Sequence, residues 1–287
     1  MNKEYCNYHC FPKSPPRRDL GGLKQKTMNR INHLFETKKE NILSVYFTAG
    51  FPNLNNTVEI IQQLEKNGVD LIEIGMPFSD PTADGPTIQH TSEIALKNGM
   101  SLELLFEQLK NIRQTVKIPL ILMGYLNPVY QFGVEQFCAK CAEVGIDGTI
   151  LPDLPPDEFE QEYKTIFTQN NLYNILLITP QTSESRIRHI DETSSGFIYM
   201  VSSSSTTGAG KKVEDFQQGY FERIQNMNLK NPRLIGFGIS DNATFANACK
   251  YAEGAIVGSA FVKSFNPELK LEESISQFVK NLVYSAS

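Results

Sequence analysis

Short apolar runs rich in β-branched residues alternate with longer stretches of helical period along almost the whole chain, and few architectures accept that rhythm. The runs are Ile42–Thr48, Asp70–Met76, Pro119–Tyr125, Gly148–Asp153, Asn174–Thr179, Gly196–Ser202, Arg233–Gly238 and Gly254–Gly258. Between them lie Asn55–Asn67, Leu102–Thr115, Val134–Val144, Asp157–Asn170, Ser183–Glu192, Val213–Met227 and Asn242–Tyr251, and Pro267–Tyr284 closes the chain. Eight strands, each followed by a helix, within about 260 residues match a (β/α)8 TIM barrel of the α/β class. A doubly wound open sheet is the rival, but Thr48-Ala49-Gly50-Phe51-Pro52 after the first strand is not the glycine fingerprint that fold carries. An extra N-terminal helix, Arg30–Lys39, has Ile31, Leu34 and Phe35 on one face and is expected to cap the barrel bottom. No longer repeat or linker interrupts residues 28–287, which read as a single catalytic domain.

Residues 1–27 differ from the rest. They carry six Lys/Arg against Glu4 and Asp19, so the remainder holds a net charge of −9 out of a total of −5. This basic N-terminal extension is expected to be disordered, and Met28 would make a natural first residue. The acidic balance argues against a nucleic-acid partner. No run of eighteen apolar residues and no apolar signal core exist, so the expected location is cytoplasmic, with no membrane role. Five cysteines, an odd number without framework spacing, argue against a disulfide-built fold. Cys138 and Cys141 form a CxxC inside a helical pattern with no second pair, and the four histidines are scattered, so no metal site is expected.

In a barrel the chemistry sits at the C-terminal strand ends, which directs attention to the second strand and its loop, Leu71 to Gln89. Alternation turns Ile72, Ile74 and Met76 towards the helices and Leu71, Glu73 and Gly75 towards the interior. A glutamate between two isoleucines is costly to bury without a partner or a task, and desolvation should raise its pKa into the range of a proton donor near neutral pH. The following loop is dense in Pro and Asp. Ser79-Asp80-Pro81 and Ala83-Asp84-Gly85 are also good turn formers, so spacing alone leaves Asp84 between a turn and a chemical role. Tyr199 alternates with Phe197 and Val201, which makes an inward phenol or a core aromatic. Gly238 follows strand seven, and Gly258-Ser259 opens a short helical turn after strand eight. Those two loops form the usual phosphate cradle of this fold, where glycine admits close backbone approach.

The run Glu73-Ile74-Gly75-Met76-Pro77-Phe78-Ser79-Asp80-Pro81-Thr82-Ala83-Asp84-Gly85-Pro86-Thr87-Ile88-Gln89 resembles the signature of the tryptophan synthase α-subunit family almost residue for residue. Further similarity lies in Gly124–Pro128, Pro152–Pro155, Gly236–Ser240 and Gly254–Ala260, so that it covers the chain from about Met28 to the C-terminus. The resemblance implies cleavage of indole-3-glycerol phosphate to indole and glyceraldehyde 3-phosphate, with indole passed to a β subunit in an α2β2 assembly. It implies that Glu73 is the catalytic glutamate and that Asp84 holds the indole N–H. It also implies that Tyr199 reaches into the site, that Thr207 and Gly208 complete the phosphate cradle, and that Tyr46, Met123, Ile150 and Phe237 line an indole slot. No cofactor is expected in this chain, since pyridoxal phosphate belongs to the β partner of the family.

One segment departs from the family. After strand six, Ser203, Ser205 and Thr206 stand where an arginine, a glycine and a valine are common. Loss of the arginine removes a loop anchor and loss of the glycine narrows backbone choice, which bears on loop closure and on coupling to the partner. Three rivals to a β-coupled lyase follow. A stand-alone indole-3-glycerol phosphate lyase shares the same site. A different barrel aldolase would need a strand-end lysine or clustered histidines, which are absent. A non-catalytic activator of the β subunit would have no need of both carboxylates.

Overall fold

The computed structural model describes residues 28–202 and 211–284, without the side chains of residues 211–217. The N-terminal extension, the departing positions Ser203, Ser205 and Thr206, and the expected phosphate residues Thr207 and Gly208 lie outside the described residues. The strands are β1 (Ile42–Thr48), β2 (Leu71–Gly75), β3 (Leu120–Met123), β4 (Gly148–Ile150), β5 (Tyr173–Ile178), β6 (Ile198–Val201), β7 (Arg233–Gly236) and β8 (Gly254–Val257). They pair in parallel in chain order, and β1 also pairs with β8, so the sheet closes. The expected (β/α)8 barrel is the fold observed, with strand ends trimmed by a few residues.

The helices are α1 (Arg30–Thr37), α2 (Thr57–Lys66), α3 (Pro86–Lys97), α4 (Leu102–Leu109), α5 (Leu126–Phe132), α6 (Val134–Val144), α7 (Pro156–Glu158), α8 (Lys164–Gln169), α9 (Glu184–Thr193), α10 (Lys211–Asn226), α11 (Asn242–Ala248), α12 (Ser259–Lys263) and α13 (Leu271–Val283). Two of these are absent from the sequence pattern. α3 buries Ile88, Thr91, Ser92 and Ala95, so half of its inner face is polar and shows no apolar period. α5 contains Pro128, which reads as a breaker. It sits in the first turn, where a missing N–H costs no helical bond. The expected helix Asp157–Asn170 is α7 and α8 joined by a π-helical turn, Phe159–Tyr163.

Strand alternation divides the apolar side chains between two cores. Val45, Phe47, Ile72, Ile74 and Leu122 face outward and pack with Ile60, Ile61 and Leu64 of α2, among others. Ile42, Leu71, Ile121, Ile150, Ile175, Phe197, Leu234 and Ile256 face inward and fill the barrel. α1 closes the N-terminal end from below. Its Ile31 and Phe35 join the inner core, and the Phe35 and Phe197 rings lie 5.7 Å apart. Full burial of such side chains stabilises by about 1.5–3 kcal/mol each. Polar bonds fix the same helix: Asn29 accepts from Ile31 N and donates to the carbonyls of Asp147 and Asn171, while Arg30 pairs with Asp147 at 2.9 Å. The bottom is thereby sealed, and the opposite end is left for chemistry.

Candidate active site

Glu73 leaves the middle of β2 on the inward face, beside Tyr46 of β1 and Ile121 of β3 in register. It is fully buried. Ser44 Oγ donates to its Oε1 at 2.9 Å, and Oε2 has no partner among the described residues. Burial disfavours the charged form and pushes the carboxyl up to about 8, against the smaller opposing effect of the Ser44 hydrogen bond. At neutral pH this side chain is mostly a neutral acid.

Asp84 reaches the same cavity from the loop after β2. The loop is folded by Asp84 N to Pro81 O at 3.1 Å and by Gln89 Nε2, which donates to the carbonyl of Asp84 at 3.0 Å. The Tyr125 hydroxyl donates to Asp84 Oδ2 at 2.9 Å and accepts from Ala83 N at 2.8 Å, so one phenol pins both the loop backbone and its carboxyl. The Phe78 ring packs on Tyr125 at 5.2 Å. Burial raises the Asp84 pKa, and the Tyr125 bond works against that rise.

Glu73, Asp84, Tyr46, Tyr199, Met123 and Phe237 all line one cavity of about 1320 Å³ at the C-terminal ends of the strands. Tyr199 is buried on the inner face of β6, and its ring forms a T-shaped pair with Phe237 at a centroid distance of 6.3 Å. Phe237 itself is 40% exposed and adopts φ +68°, a left-handed geometry uncommon for a non-glycine residue. Gly238, Gly258 and Ser259 line the same cavity, and Ser259 is the first residue of α12. Ser202 Oγ donates to the carbonyl of Phe237 at 2.6 Å and ties the β7 loop to β6. Ile150 is not among the cavity-lining residues. It lies in the inner core, fully buried.

Sequence reasoning assigned no role to Tyr125, Ser44, Ser240, Arg186 or Lys263, although the last three also line the cavity. Ser44 was within reach of the alternation argument, since it shares the inward face of β1 with Ile42 and Tyr46. Cys138 and Cys141 are free, buried on α6, and shifted upward by burial, which suits packing. Among the described residues, no three His, Cys, Asp or Glu side chains gather to hold a metal, and no helix is long and apolar enough to cross a membrane.

Chemically, the cavity offers a neutral carboxyl for proton donation and a second carboxyl held by a phenol. Aromatic and apolar walls could hold a flat ring, and glycine turns admit an anion to backbone N–H groups. Comparison with known proteins agrees in a specific direction. A family model described as tryptophan synthase alpha chain matches residues 33–286. A tryptophan synthase alpha chain of Flavobacterium johnsoniae is 64% identical over 236 residues, 82% of this chain and 93% of that one. One from Bacteroides fragilis is 56% identical over 250 residues, 87% of this chain and 95% of that one. Among solved structures, the tryptophan synthase subunit alpha of Legionella pneumophila str. Paris superposes with a TM-score of 0.81 at 32% identity, covering 90% of this chain and 98% of that one. An aminoacrylate-bound tryptophan synthase from M. tuberculosis gives 0.78 at 28%, covering 89% and 98%.

Proposed function

The chain belongs to the tryptophan synthase alpha chain family, and from that premise we propose that Glu73 and Asp84 carry out its reaction. It is a carbon–carbon lyase that cleaves indole-3-glycerol phosphate to indole and glyceraldehyde 3-phosphate, and it works with a β subunit that receives the indole for L-tryptophan synthesis. The assembly we propose is α2β2, in the cytoplasm. Residues 28–287 act as one catalytic domain without a cofactor of their own, and pyridoxal phosphate belongs to the partner.

Indole is a poor leaving carbanion, so the ring carbon bearing the glycerol chain must gain a proton before its C–C bond breaks. Glu73, a neutral acid near pH 7, donates that proton. The ring nitrogen then carries positive charge, and the Asp84 carboxylate accepts its N–H and balances it. The C–C bond breaks with its electron pair returning to the ring. The glycerol hydroxyl carbon becomes the aldehyde as its proton passes back to the Glu73 carboxylate. A positioned acid–base group of this kind supplies roughly 10²–10⁴ in rate.

Tyr46, Met123 and Phe237 wall the indole, with Ile150 beneath them and Tyr199 closing the side towards β6. Gly238, Gly258 and Ser259 offer backbone N–H groups to the phosphate, with Thr207 and Gly208 completing the grip. One observation carries this reading: the buried, half-unpartnered Glu73 carboxyl shares a cavity with Asp84 and the glycine turns after β7 and β8. The test is indole release by the purified chain. Glu73→Gln preserves shape and should lose turnover by about 10²–10⁴ with substrate binding retained. Near wild-type turnover in that variant would end the proposal.

A further inference from the structure

Among the described residues the Ser44 hydroxyl makes one hydrogen bond, and it is to Glu73. Its hydroxyl is fully buried on the inward face of β1, where no second acceptor is bonded to it. A serine hydroxyl has one proton to give, and a buried donor left without an acceptor costs free energy. The proton of Ser44 therefore goes to Oε1. An oxygen that accepts there cannot also present an acid proton along the same line. The acid proton of Glu73 is left to Oε2, the atom without a partner.

We propose that Ser44 is a positioning residue that holds Oε1 of Glu73 as the acceptor oxygen and so leaves the transferable proton on Oε2, free of any bond that would have to break before transfer. This rests on the reading of Glu73 as the proton donor. Among the described residues, the other titratable groups facing Glu73 are Tyr46 from β1, Asp84 from the β2 loop and Tyr199 from β6; burial raises the pKa of each, and none of the three is among the causes of the Glu73 shift. β3 faces it with Ile121, which does not ionise. Arg186 and Lys263, the cations lining the same cavity, are not among the causes of its shift. Among the described residues Ser44 is thus the group that steadies the carboxylate, and it should act on both proton position and titration.

The experiment is direct titration of the Glu73 carboxyl by carbon NMR in full-length protein labelled with 13C-glutamate, with the signal assigned by its absence in Glu73→Gln. In Ser44→Ala the midpoint should rise by about one pH unit, as a charge-assisted hydrogen bond is lost. Over the same series kcat should fall by about tenfold with KM held, since the donor is less well aimed. An unmoved midpoint in folded Ser44→Ala overturns the proposal. If Ser44→Ala does not fold, Ser44→Cys takes its place: the thiol is a weak donor, so its midpoint should also rise, and an unmoved one again overturns the proposal. Titration is independent of turnover. A Glu73→Gln variant that still releases indole would therefore defeat the catalytic reading while leaving the Ser44 effect measurable, and a fixed midpoint beside an inactive Glu73→Gln would defeat only the positioning role.

Discussion

Gly75 lies directly beneath the phenol of Tyr46: a Cβ built on Gly75 would fall 2.2 Å from the Tyr46 hydroxyl and 2.7 Å from Cζ. The ring is fully buried at the hydroxyl end, so a methyl group on Gly75 would have to push it towards the cavity. The glycine of β2 is thus the floor on which a wall of the cavity rests. Gly75→Ala should destabilise the protein by about 1–3 kcal/mol, as overpacking does, and should raise the KM for indole-3-glycerol phosphate. Adding Tyr46→Phe removes the closest atom and should recover part of the stability. Denaturant midpoints equal to wild type in the single variant would show that the ring can move.

Tyr125 should matter to Asp84 more than its place outside the carboxylate pair suggests. Tyr125→Phe deletes the bond to Oδ2 and the acceptor for Ala83 N together. The Tyr125 bond holds the Asp84 pKa down against burial, so its loss lets that pKa climb. The low-pH limb of kcat/KM should therefore move upward, because Asp84 must be ionised to balance the ring cation. Turnover at neutral pH should drop by about tenfold, less than the roughly 10²–10³ lost when a charge-stabilising group is removed outright, because Asp84 is displaced and not deleted. A limb that stays in place would separate Tyr125 from the chemistry.

The barrel was legible because its signal repeats: a strand buried on both faces reads as a nearly unbroken apolar run, and eight such runs constrain one another. Glu73 stood out for the converse reason, as a charged residue in the middle of such a run, where Asp70, Asp153 and Arg233 only end theirs. What stayed hidden was carried by residues whose meaning depends on a distant neighbour. Tyr125 was visible as a strand-end tyrosine, yet its role exists only once the loop carries Asp84 back 41 positions to meet it. α3 escaped because Thr91 and Ser92 occupy its inner face, and Thr91 bonds Thr48 at 2.7 Å across a contact that periodicity does not encode. Ile150 shows the opposite failure: strand alternation turns it inward correctly, but an inward side chain at the strand end can lie below a cavity as readily as beside it.

The raised Glu73 pKa has a thermodynamic consequence with a definite sign. The folded carboxyl titrates near 8 and the unfolded one near its ordinary value of 4.5. Between those values the unfolded chain has released a proton that the native state keeps, so stability falls as pH rises, by up to ~1.4 kcal/mol per pH unit. The contribution is fully present below the unfolded pKa and is lost by the time the folded one is passed. Asp84, also raised, adds to the slope in the same direction at the acidic end. Urea midpoints across this window should decline in wild type and decline less in Glu73→Gln. Parallel profiles would mean that the carboxyl is not held neutral.

At the opposite end of the barrel, Asp147 should govern stability without touching chemistry. It is buried ahead of β4 and pairs with Arg113 at 2.6 Å and with Arg30 at 2.9 Å, while its Oδ2 also accepts from Leu120 N at 2.9 Å. The Arg113 guanidinium further donates to the carbonyls of Gly145 and Ile118, so it cannot swing away to find water. Burial already draws its pKa down to about 10, which Asp147 opposes. Asp147→Asn would keep the shape and strip the negative charge, leaving a guanidinium in the wall of the barrel without its counter-ion. Breaking a buried pair in this way costs 3–5 kcal/mol as a rule. Arg113 keeps 17% of its side-chain exposure, so the expected loss is about 3 kcal/mol, the low end of that range. Because this cluster sits beneath the inner core and the cavity opens above it, KM and kcat per folded molecule should equal wild type. A fall in kcat with an unchanged urea midpoint would contradict the division of labour between the two ends of the barrel.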